Sequence, residues 1–252
     1  MKGSILDSKK EEFEKLFNQG LSDYKIAKEL GVNHCTVFQW RKKHNYIRPS
    51  LKEGKYIALS TIQEEVLLGT LLGDSSLTIG RDCVNPRFSC THCLTQEEYC
   101  KSKEEIFKNL GCVGGRDTSL HPDKRTGKVY HYYAIRMPAN PAFLPYYKAF
   151  YKNGKKIIPL NLMQKFTARS LAYMFMDDGC KAECGYTIAT NCFTKQEITE
   201  FRKFLFIKFN LETSMYESSN VLRIRAKSAK LFKSLILPYM HPTLLYKLHQ
   251  SL

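Results

Sequence analysis

Two short apolar segments of the chain each end in an acidic residue. Leu67–Ser75 has the sequence LLGTLLGDS and Leu171–Gly179 has LAYMFMDDG, so Asp74 and Asp178 occupy equivalent positions. Each segment predicts one helix with a carboxylate at its C-terminal end, where an anion is disfavoured by about 0.3–1 kcal/mol. A divalent cation held between the two carboxylates and a phosphate backbone would offset this cost, so the pair predicts a metal site for phosphodiester chemistry.

Ordinary core helices are the alternative interpretation of these segments. Val66–Leu72 and Leu171–Met176 are far shorter than the roughly 20 residues that span a bilayer, which excludes membrane helices. One such segment alone would indicate only a buried helix. The second copy, with its Asp in the same register, favours a metal site.

The two segments resemble the nine-residue motif of the LAGLIDADG homing endonucleases, in the single-chain form with two motif copies, from about Thr61 to the C-terminus. In that family the eighth motif residue is the metal-binding Asp, which corresponds to Asp74 and Asp178. The resemblance implies that these carboxylates, helped by the main-chain carbonyls of Gly73 and Asp177, bind Mg²⁺ or Mn²⁺. It also implies cleavage of DNA without a nucleophilic side chain.

The two motif copies differ at their third and seventh positions. Gly69 and Gly73 leave bare backbone that allows a second helix to come close, whereas their counterparts are Tyr173 and Asp177. The two helices therefore cannot pack as an exact twofold pair. A monomer that carries both copies allows this difference, which favours a pseudo-palindromic or asymmetric DNA target.

The ninth motif position differs as well. The second copy closes with Gly179, as the family does, but the first has Ser75. Glycine at a helix end commonly adopts the left-handed conformation. We therefore expect a left-handed cap at Gly179 and a different geometry at Ser75.

Two lysines complete the expected site. Lys156 and Lys247 both follow a predicted closing helix. In the yeast mitochondrial type of single-chain enzyme that this chain resembles, lysines in similar settings project towards the active site. The resemblance implies that Lys156 and Lys247 are catalytic, either by stabilising charge at the scissile phosphates or by orienting water. An ordinary surface charge is the alternative for each.

The charge of the chain indicates a polyanionic partner. Its 252 residues carry a formal net charge of +15, and its calculated pI is about 9.3. Basic side chains gain affinity for phosphates through counterion release, but charge alone does not separate DNA, RNA and anionic membranes. The 43% apolar content predicts a globular protein with a sizeable core.

The first residues and the cysteines predict an intracellular, reducing location. The start of the sequence has no apolar segment typical of a secretory signal, and nine cysteines are an odd number for a disulfide framework. The bacterial character of the N-terminal region favours a bacterial or phage-infected cytoplasm, with an organelle as the other possibility.

Residues 1–48 predict a small all-α helix-turn-helix domain, and residues 49–60 predict a linker. The segment GLSDYKIAKELGVNHCTVFQW resembles resolvase or homeodomain-like domains, with Gly31 in the turn, Asn33 as the N-cap, and Val37 and Trp40 in the core. A generic three-helix bundle or a protein-binding module is the alternative. The residues expected to contact DNA bases are His34, Cys35, Phe38, Gln39 and Lys42, and those expected to contact phosphates are Arg41, Lys43 and Arg48.

From residue 61 onward, the order of a motif helix, two strands, a helix, two strands and a helix occurs twice, over 61–158 and 159–252. This predicts an α+β fold in which two pseudo-symmetric αββαββα subdomains form a DNA-binding saddle. Thr194 and Glu197 match a capping box that begins a helix at Lys195. Alternation along the strands predicts polar faces that contact DNA, although an ordinary solvated face is the alternative; the residues expected there are Arg87, Ser89, Thr91, Arg136, Arg223 and Arg225.

These features together predict a site-specific double-strand DNA endonuclease, intron-encoded and monomeric, with no membrane partner. It would hydrolyse phosphodiesters with a divalent metal at a long asymmetric target. Two alternatives remain at this stage: an RNA maturase that binds its host intron RNA, and a DNA-binding regulator that does not cleave.

Overall fold

The computed structural model describes residues 5–46, 56–80, 83–119 and 121–248. These residues form a smaller unit, built on 5–46, and a larger unit, built on most of the remainder. The predicted phosphate contact at Arg48 and most of the predicted linker over 49–60 lie outside the described residues.

Three helices form the smaller unit, as the sequence predicts: α1 (Lys10–Asn18), α2 (Asp23–Leu30) and α3 (His34–Lys43). Gly31 ends α2 in the left-handed conformation at φ +66°, which turns the chain sharply. The side chain of Asn33 then accepts a hydrogen bond from the backbone N–H of Cys35 at 2.8 Å and caps α3. The predicted turn and N-cap are both confirmed.

The helices of the smaller unit enclose an aromatic core. Val37 and Trp40 of α3 are buried in it, as predicted, and the indole N–H of Trp40 donates to Asp7 at 2.7 Å. Burial of a Trp with its polar nitrogen satisfied stabilises a small unit of this kind. The other buried apolar residues of the unit are Leu6, Phe13, Phe17, Ile26, Ala27 and Leu30.

The larger unit contains the two predicted repeats. The first repeat consists of α4 (Thr61–Leu72), β1 (Ser75–Thr78), β2 (Arg87–Cys93), α5 (Glu97–Ile106), β3 (Val113–Thr118), β4 (His131–Arg136) and α6 (Leu144–Phe150). A hairpin of β5 (Tyr151–Lys152) and β6 (Lys155–Lys156) follows. The second repeat consists of α7 (Ala168–Asp178), β7 (Gly179–Ala182), β8 (Gly185–Ile188), α8 (Lys195–Phe209), β9 (Thr213–Tyr216), β10 (Val221–Ile224) and α9 (Ala226–Ile236).

Both repeats build the same four-stranded antiparallel sheet. The strand order is β1-β2-β4-β3 in the first and β7-β8-β10-β9 in the second. In each sheet an inner strand, β2 or β10, alternates between buried and more exposed residues, as expected for a sheet with one face packed on the core, whereas β3 has no buried residue. The α+β fold with two αββαββα repeats is therefore confirmed.

Helices α4 and α7 pack closely along the glycines of α4. A Cβ atom built on Gly69 would lie 2.2 Å from the carbonyl oxygen of Ser170, and one built on Gly73 would lie 2.5 Å from Cβ of Asp177. Gly69 faces Ser170 and Tyr173, and Gly73, directly after α4, faces Asp177 one turn further along α7, so the two helices run parallel and end at the same side of the fold. The prediction that bare backbone allows close packing is confirmed.

The expected left-handed cap at Gly179 is wrong. This residue has φ −94° and ψ 153°, so the chain passes from α7 directly into the extended conformation of β7. Glycine is required there for a different reason, because a Cβ would lie 2.1 Å from the ring of Phe175. In the first repeat Ser75 is buried and begins β1.

Candidate active site

Asp74 and Asp178 lie at the matching ends of the paired helices. Asp178 is the last residue of α7 and half-buried, while α4 ends at Leu72 and Asp74 follows in the short connection to β1. The side chain of Asp74 is 39% exposed. The parallel packing of α4 and α7 therefore brings the two predicted carboxylates to one side of the repeat interface.

Both carboxyl groups are held in an environment that opposes their ionisation. Desolvation, followed by the negative charges of Asp74 and Asp177, raises the pKa of Asp178 to about 7. Desolvation and the charge of Asp177 also raise the pKa of Asp74. Three carboxylates thus act on one another across the interface, and the site favours the addition of positive charge.

The two predicted lysines occupy equivalent positions in the two halves. Nζ of Lys156, in β6, donates to the carbonyl oxygen of Gly73 at 3.2 Å. Nζ of Lys247, in the 3₁₀ helix that follows α9, donates to the carbonyl oxygen of Asp177 at 3.3 Å. Each ammonium therefore compensates the partial negative charge at the end of one motif helix.

Lys156 and Lys247 also interact electrostatically with the carboxyl groups of Asp74 and Asp178. Burial lowers the pKa of both Lys156 and Lys247, and the negative charges of Asp74 and Asp178 oppose that decrease for each lysine. The structure therefore brings together all four residues that the sequence predicted to be catalytic. Their arrangement is two carboxylates flanked by two partly desolvated ammonium groups.

The donor set at the helix ends fits a hard divalent cation. Asp74 and Asp178 offer carboxylate oxygens, and Gly73 and Asp177 offer carbonyl oxygens that have a second lone pair beside their lysine contact. Mg²⁺ and Mn²⁺ prefer oxygen donors of this kind.

The side chain of Asp177 is engaged elsewhere. It is fully buried, and its Oδ1 accepts from Nζ of Lys103 at 2.7 Å and from the hydroxyl of Tyr99 at 2.7 Å. Its Oδ2 accepts from the hydroxyl of Thr70 at 2.6 Å. Asp177 therefore contributes a buried ion pair to the repeat interface, and only its main-chain carbonyl remains for the role that the sequence predicted.

Side-chain atoms of Asp74, His92 and Asp177 also lie within 4.8 Å of one another, a separation compatible with metal binding. A cation is not required at that place, because the ammonium of Lys103 already lies 2.7 Å from Asp177 and 3.0 Å from Nε2 of His92. Like charges so close in a buried site would repel strongly. The predicted pair of Asp74 and Asp178 therefore remains the candidate for cation binding, rather than this cluster.

Sequence reasoning did not find this buried cluster. Thr70 and Asp177 are 107 residues apart in the chain, and Lys103 and Asp177 are 74 apart. None of these residues belongs to a recognisable motif with its partner. The one signal in the sequence was Asp177, the acidic seventh residue of the second motif. An acid on a helix that becomes buried requires a counter-charge.

The predicted DNA-contacting residues of the first repeat lie on the open face of its sheet. In β2, Arg87 and Thr91 are exposed and Ser89 is partly exposed, while the intervening residues are buried. Ser89 pairs with Arg136 of β4, which is exposed and forms an ion pair with Asp117 at 3.5 Å. The predicted alternation along β2 is confirmed.

The second sheet also has a row of polar residues across its strands, as the first sheet does. Arg223 of β10 pairs with Thr187 on one side and Ser214 on the other, and Thr187 pairs with Cys180. Directly paired residues of antiparallel strands share a face. Arg225 lies just beyond β10 and is exposed, so both arginines are accessible from the same side of the second repeat.

In the smaller unit, α3 exposes most of the residues that were predicted to contact bases. His34, Cys35, Gln39 and Lys42 are exposed, and Phe38 is partly exposed beneath the Lys42 ammonium, which lies 5.1 Å from the ring centre. These side chains form one polar surface along the outside of α3.

The predicted phosphate contact at Arg41 is wrong. Its side chain is buried, and its guanidinium donates from Nε to Asp23 at 3.1 Å and from Nη1 to the carbonyl of Tyr46 at 3.0 Å. These bonds connect α3 to the start of α2 and to the chain after α3. A guanidinium held in this way is part of the framework of the unit rather than of its surface.

Comparison with known proteins places the chain in a family. Residues 64–232, more than half of the chain, match the LAGLIDADG DNA endonuclease family. That span contains both motif helices and both sheets described above. The protein belongs to the LAGLIDADG DNA endonuclease family.

Individual relatives agree with this assignment. The chain is 32% identical over 206 residues to a protein of Wickerhamomyces canadensis named probable intron-encoded endonuclease 1, an alignment that covers 77% of this chain and 87% of the relative. It is 27% identical over 189 residues to the cytochrome b mRNA maturase bI2 of Debaryomyces hansenii, covering 73% of this chain and 72% of the relative.

A solved structure shares the fold. The homing endonuclease I-WcaI, bound to its DNA recognition sequence, superposes with a TM-score of 0.72 at 27% identity, covering 79% of this chain and 91% of that chain. None of the helices within the described residues is long and apolar enough to span a membrane.

Proposed function

We propose that this protein is a site-specific double-strand DNA endonuclease of the homing type, dependent on Mg²⁺ or Mn²⁺. The observation that carries the proposal is the convergence of Asp74, Asp178, Lys156 and Lys247 at the ends of two parallel motif helices. A relative named intron-encoded endonuclease and a homing endonuclease structure with bound DNA support it.

Each group at the site has a role in this proposal. Asp74 and Asp178 bind the divalent cation, with the carbonyls of Gly73 and Asp177 as further oxygen donors. The bound cation would supply an activated water for attack in line with the scissile bond and would stabilise the leaving oxygen. Lys156 and Lys247, held by the helix-end carbonyls, stabilise negative charge at the two phosphates.

The open sheet faces bind the duplex in this proposal. Arg87, Arg136, Arg223 and Arg225 lie on faces with exposed polar rows, and a protein of net charge +15 gains affinity for phosphates. Ser89 and Thr91 present hydroxyls between the arginines of the first sheet. The two sheets together form the proposed saddle, and a single chain suffices because it carries both halves.

The smaller unit extends the DNA contacts as a helix-turn-helix domain. The surface of α3 that carries His34, Cys35, Phe38, Gln39 and Lys42 is the proposed recognition surface. A second DNA-binding module on the same chain raises the effective concentration of the first and lengthens the target.

A second candidate function is help in splicing an intron RNA, because one relative bears the name of an mRNA maturase. Intron encoding is supported by the name of another relative, from Wickerhamomyces canadensis. A bacterial or phage location remains a prediction from the sequence. Binding of duplex DNA and of intron RNA compared at one salt concentration distinguishes the two functions.

The proposed cleavage activity is tested with a randomised plasmid library. The full-length protein is incubated with the library in Mg²⁺, and in parallel in EDTA, and new double-strand ends are sequenced. We expect ends that cluster at one long asymmetric sequence and that require the metal. Absence of cleavage in Mg²⁺ and in Mn²⁺, with retained DNA binding, would contradict the proposed enzyme and favour a non-cleaving regulator.

A further inference from the structure

The buried ion pair of Lys103 and Asp177 lies next to Asp74, one of the two proposed metal ligands. Both side chains have no solvent exposure, and Nζ of Lys103 is 2.7 Å from Oδ1 of Asp177. The backbone N–H of Asp74 points to the other oxygen of Asp177, at 3.4 Å. The carboxylate of Asp177 therefore neutralises Lys103 and also contacts the backbone of the short connection between α4 and β1 that carries Asp74.

Thr70 strengthens this connection. Its hydroxyl donates to Oδ2 of Asp177 at 2.6 Å, lies 2.9 Å from Nζ of Lys103, and lies 2.7 Å from the hydroxyl of Ser75. The hydroxyl has one proton and two lone pairs. Because the proton goes to Asp177, the lone pairs accept from Lys103 and Ser75. One network therefore joins Thr70, four residues before Asp74, to Ser75, the residue after it.

Lys103 also determines the tautomer of His92. Its Nζ lies 3.0 Å from Nε2 of His92, and an ammonium group has protons but no lone pair. The three protons of Nζ go to its three nearest acceptors, Asp177 at 2.7 Å, Thr70 at 2.9 Å and Nε2 of His92, while Sγ of Cys90 is farther away at 3.5 Å. Nε2 is therefore the acceptor, which leaves the ring proton on Nδ1 in the neutral imidazole. Nδ1 donates to Oε1 of Gln96 at 2.9 Å, and Oδ2 of Asp74 lies farther away, 3.4 Å from Nδ1, so the protonated side of the ring is the side beside the proposed ligand.

The second half of the protein replaces this network with apolar packing. The buried side chains of α5 include Lys103, whereas those of α8 are Ile198, Phe201 and Leu205, all apolar. The position of Asp177 in the second motif corresponds to Gly73 in the first. The two proposed ligands, Asp74 and Asp178, therefore have different supports.

We infer that Lys103 is a positioning residue for Asp74: through Asp177 it fixes the connection that carries Asp74, and through His92 it fixes the ring beside the Asp74 carboxylate, whereas Asp178, although next to Asp177, is already held by the backbone of α7. Outer groups that orient metal ligands commonly change affinity or activity by 10- to 100-fold when removed. The inference rests on the proposed nuclease function. It predicts that the loss of Lys103 impairs one strand cut more than the other.

The first test reads the tautomer without any cleavage. The full-length protein is labelled with ¹⁵N-histidine, and the His92 signals are assigned by their loss in His92→Gln. At pH 8 we expect the wild type to show a protonated Nδ1 and an unprotonated Nε2. Lys103→Met removes the donor to Nε2, so a mixture of tautomers is expected, while Lys101→Met, an exposed lysine of the same helix, leaves the signals unchanged.

The second test measures each strand separately. A supercoiled plasmid that carries the target recovered from the library is cleaved in Mg²⁺, and the two strand cuts are timed with end labels. We expect Lys103→Met to slow one cut by about 10- to 100-fold more than the other, so that nicked circles accumulate. DNA affinity should stay within twofold, and Lys101→Met should cut both strands at wild-type rates.

Loss of folding is distinguished from loss of positioning. Lys103→Met leaves the charge of Asp177 buried without its partner, so Lys103→Met/Asp177→Asn removes both charges together. The double variant is expected to fold and to show the same strand bias. A general destabilisation would lower both cuts in proportion and would leave their ratio unchanged.

The outcomes separate the two proposals. If the wild type does not cleave, the proposed function fails and the tautomer experiment still tests the positioning. If the wild type cleaves but His92 carries its proton on Nε2, or if the double variant cuts both strands in the wild-type ratio, the positioning role of Lys103 is overturned and the nuclease remains.

Discussion

Gly73 and Asp177 occupy equivalent motif positions and lie directly against each other, so that a Cβ on Gly73 would come within 2.5 Å of Cβ of Asp177. The carboxylate of one motif uses the space that the missing side chain of the other leaves free. The two motif helices are therefore complementary rather than identical. This relationship accounts for both the close packing of α4 on α7 and the unequal environments of the two acids.

Substitution of Gly69 by Ala should destabilise the larger unit. The new methyl group would lie 2.2 Å from the carbonyl oxygen of Ser170, which belongs to a helix backbone and cannot move aside cheaply. Overpacking of this kind costs about 1–3 kcal/mol, which corresponds to a decrease in Tm of about 2–12 °C. Differential scanning calorimetry measures the change.

Gly115→Ala is the matched control for Gly69→Ala. Gly115 lies in β3, and no atom comes within 4 Å of a Cβ built there. Its Tm should differ from that of the wild type by no more than about 2 °C, as for most surface substitutions. Equal decreases in both variants would contradict the proposed tight contact between α4 and α7.

Asp74→Asn and Asp178→Asn should each abolish Mg²⁺-dependent cleavage while retaining DNA binding. The amide keeps the size of the side chain but removes the charge that binds the cation, so we expect at least a roughly 100-fold loss in rate. Plasmid cleavage and gel shifts in EDTA measure the two properties. Glu217→Gln, an exposed acid that pairs with Lys195, is the control and should cleave normally.

Lys156→Met should slow cleavage with little change in DNA affinity. The ammonium bonded to the carbonyl of Gly73 is lost, and with it the positive charge beside Asp74 and Asp178. By analogy with other groups that stabilise developing charge, we expect a decrease of about 100- to 1000-fold in single-turnover rate. Lys155→Met, the exposed neighbour, is the control, and a similar loss there would contradict a specific role for Lys156.

Substitution of Arg41 should lower the stability of the smaller unit, whereas substitution of Lys42 should weaken its DNA binding. Arg41→Met removes the buried bonds to Asp23 and Tyr46, and a loss of about 1–3 kcal/mol would speed amide hydrogen exchange in α1–α3 by roughly 5- to 150-fold. Mass spectrometry of deuterium uptake measures this change.

Lys42→Met is the surface counterpart of Arg41→Met. It should leave hydrogen exchange unchanged and weaken duplex binding, with the slope of log Kobs against log salt reduced by about 1. An unchanged salt slope would exclude a phosphate contact at Lys42.

The sequence was most informative where local signals determine the structure. Helix α8 begins at Lys195, as predicted, because Thr194 and Glu197 form the capping box, and it ends at Phe209, where Asn210 adopts the left-handed conformation. The alternation of β2 and the turn at Gly31 are likewise local properties. Both motif helices were found because their apolar segments are nearly uninterrupted.

The β5–β6 hairpin was missed, although a local signal exists. Asn153 and Gly154 both have positive φ, 51° and 75°, and Asn-Gly is the preferred dipeptide of a two-residue hairpin turn. The sequence analysis placed only a closing helix before Lys156. The hairpin matters because it is the element that carries Lys156 to the helix end.

The burial of Arg41 and of Lys103 could not have been predicted in the same way. Arg41 looks like a phosphate contact in a basic segment, and its burial depends on Asp23 being brought alongside it by the turn between α2 and α3. Lys103 looks like one more surface lysine in α5 and has no exposed area. In both cases the tertiary structure, not the local pattern, determines which charge is buried.

The burial of Lys103 in α5, when only apolar side chains are buried in α8, bears on the ancestry of such a chain. A fusion of two first halves would bury two ammonium groups at its centre without Asp177 to neutralise either of them, and a fusion of two second halves would crowd two aspartates and two tyrosines into one seam. Each half has thus become dependent on the other, and the duplication from which a two-motif chain would arise can no longer be reversed by losing one copy.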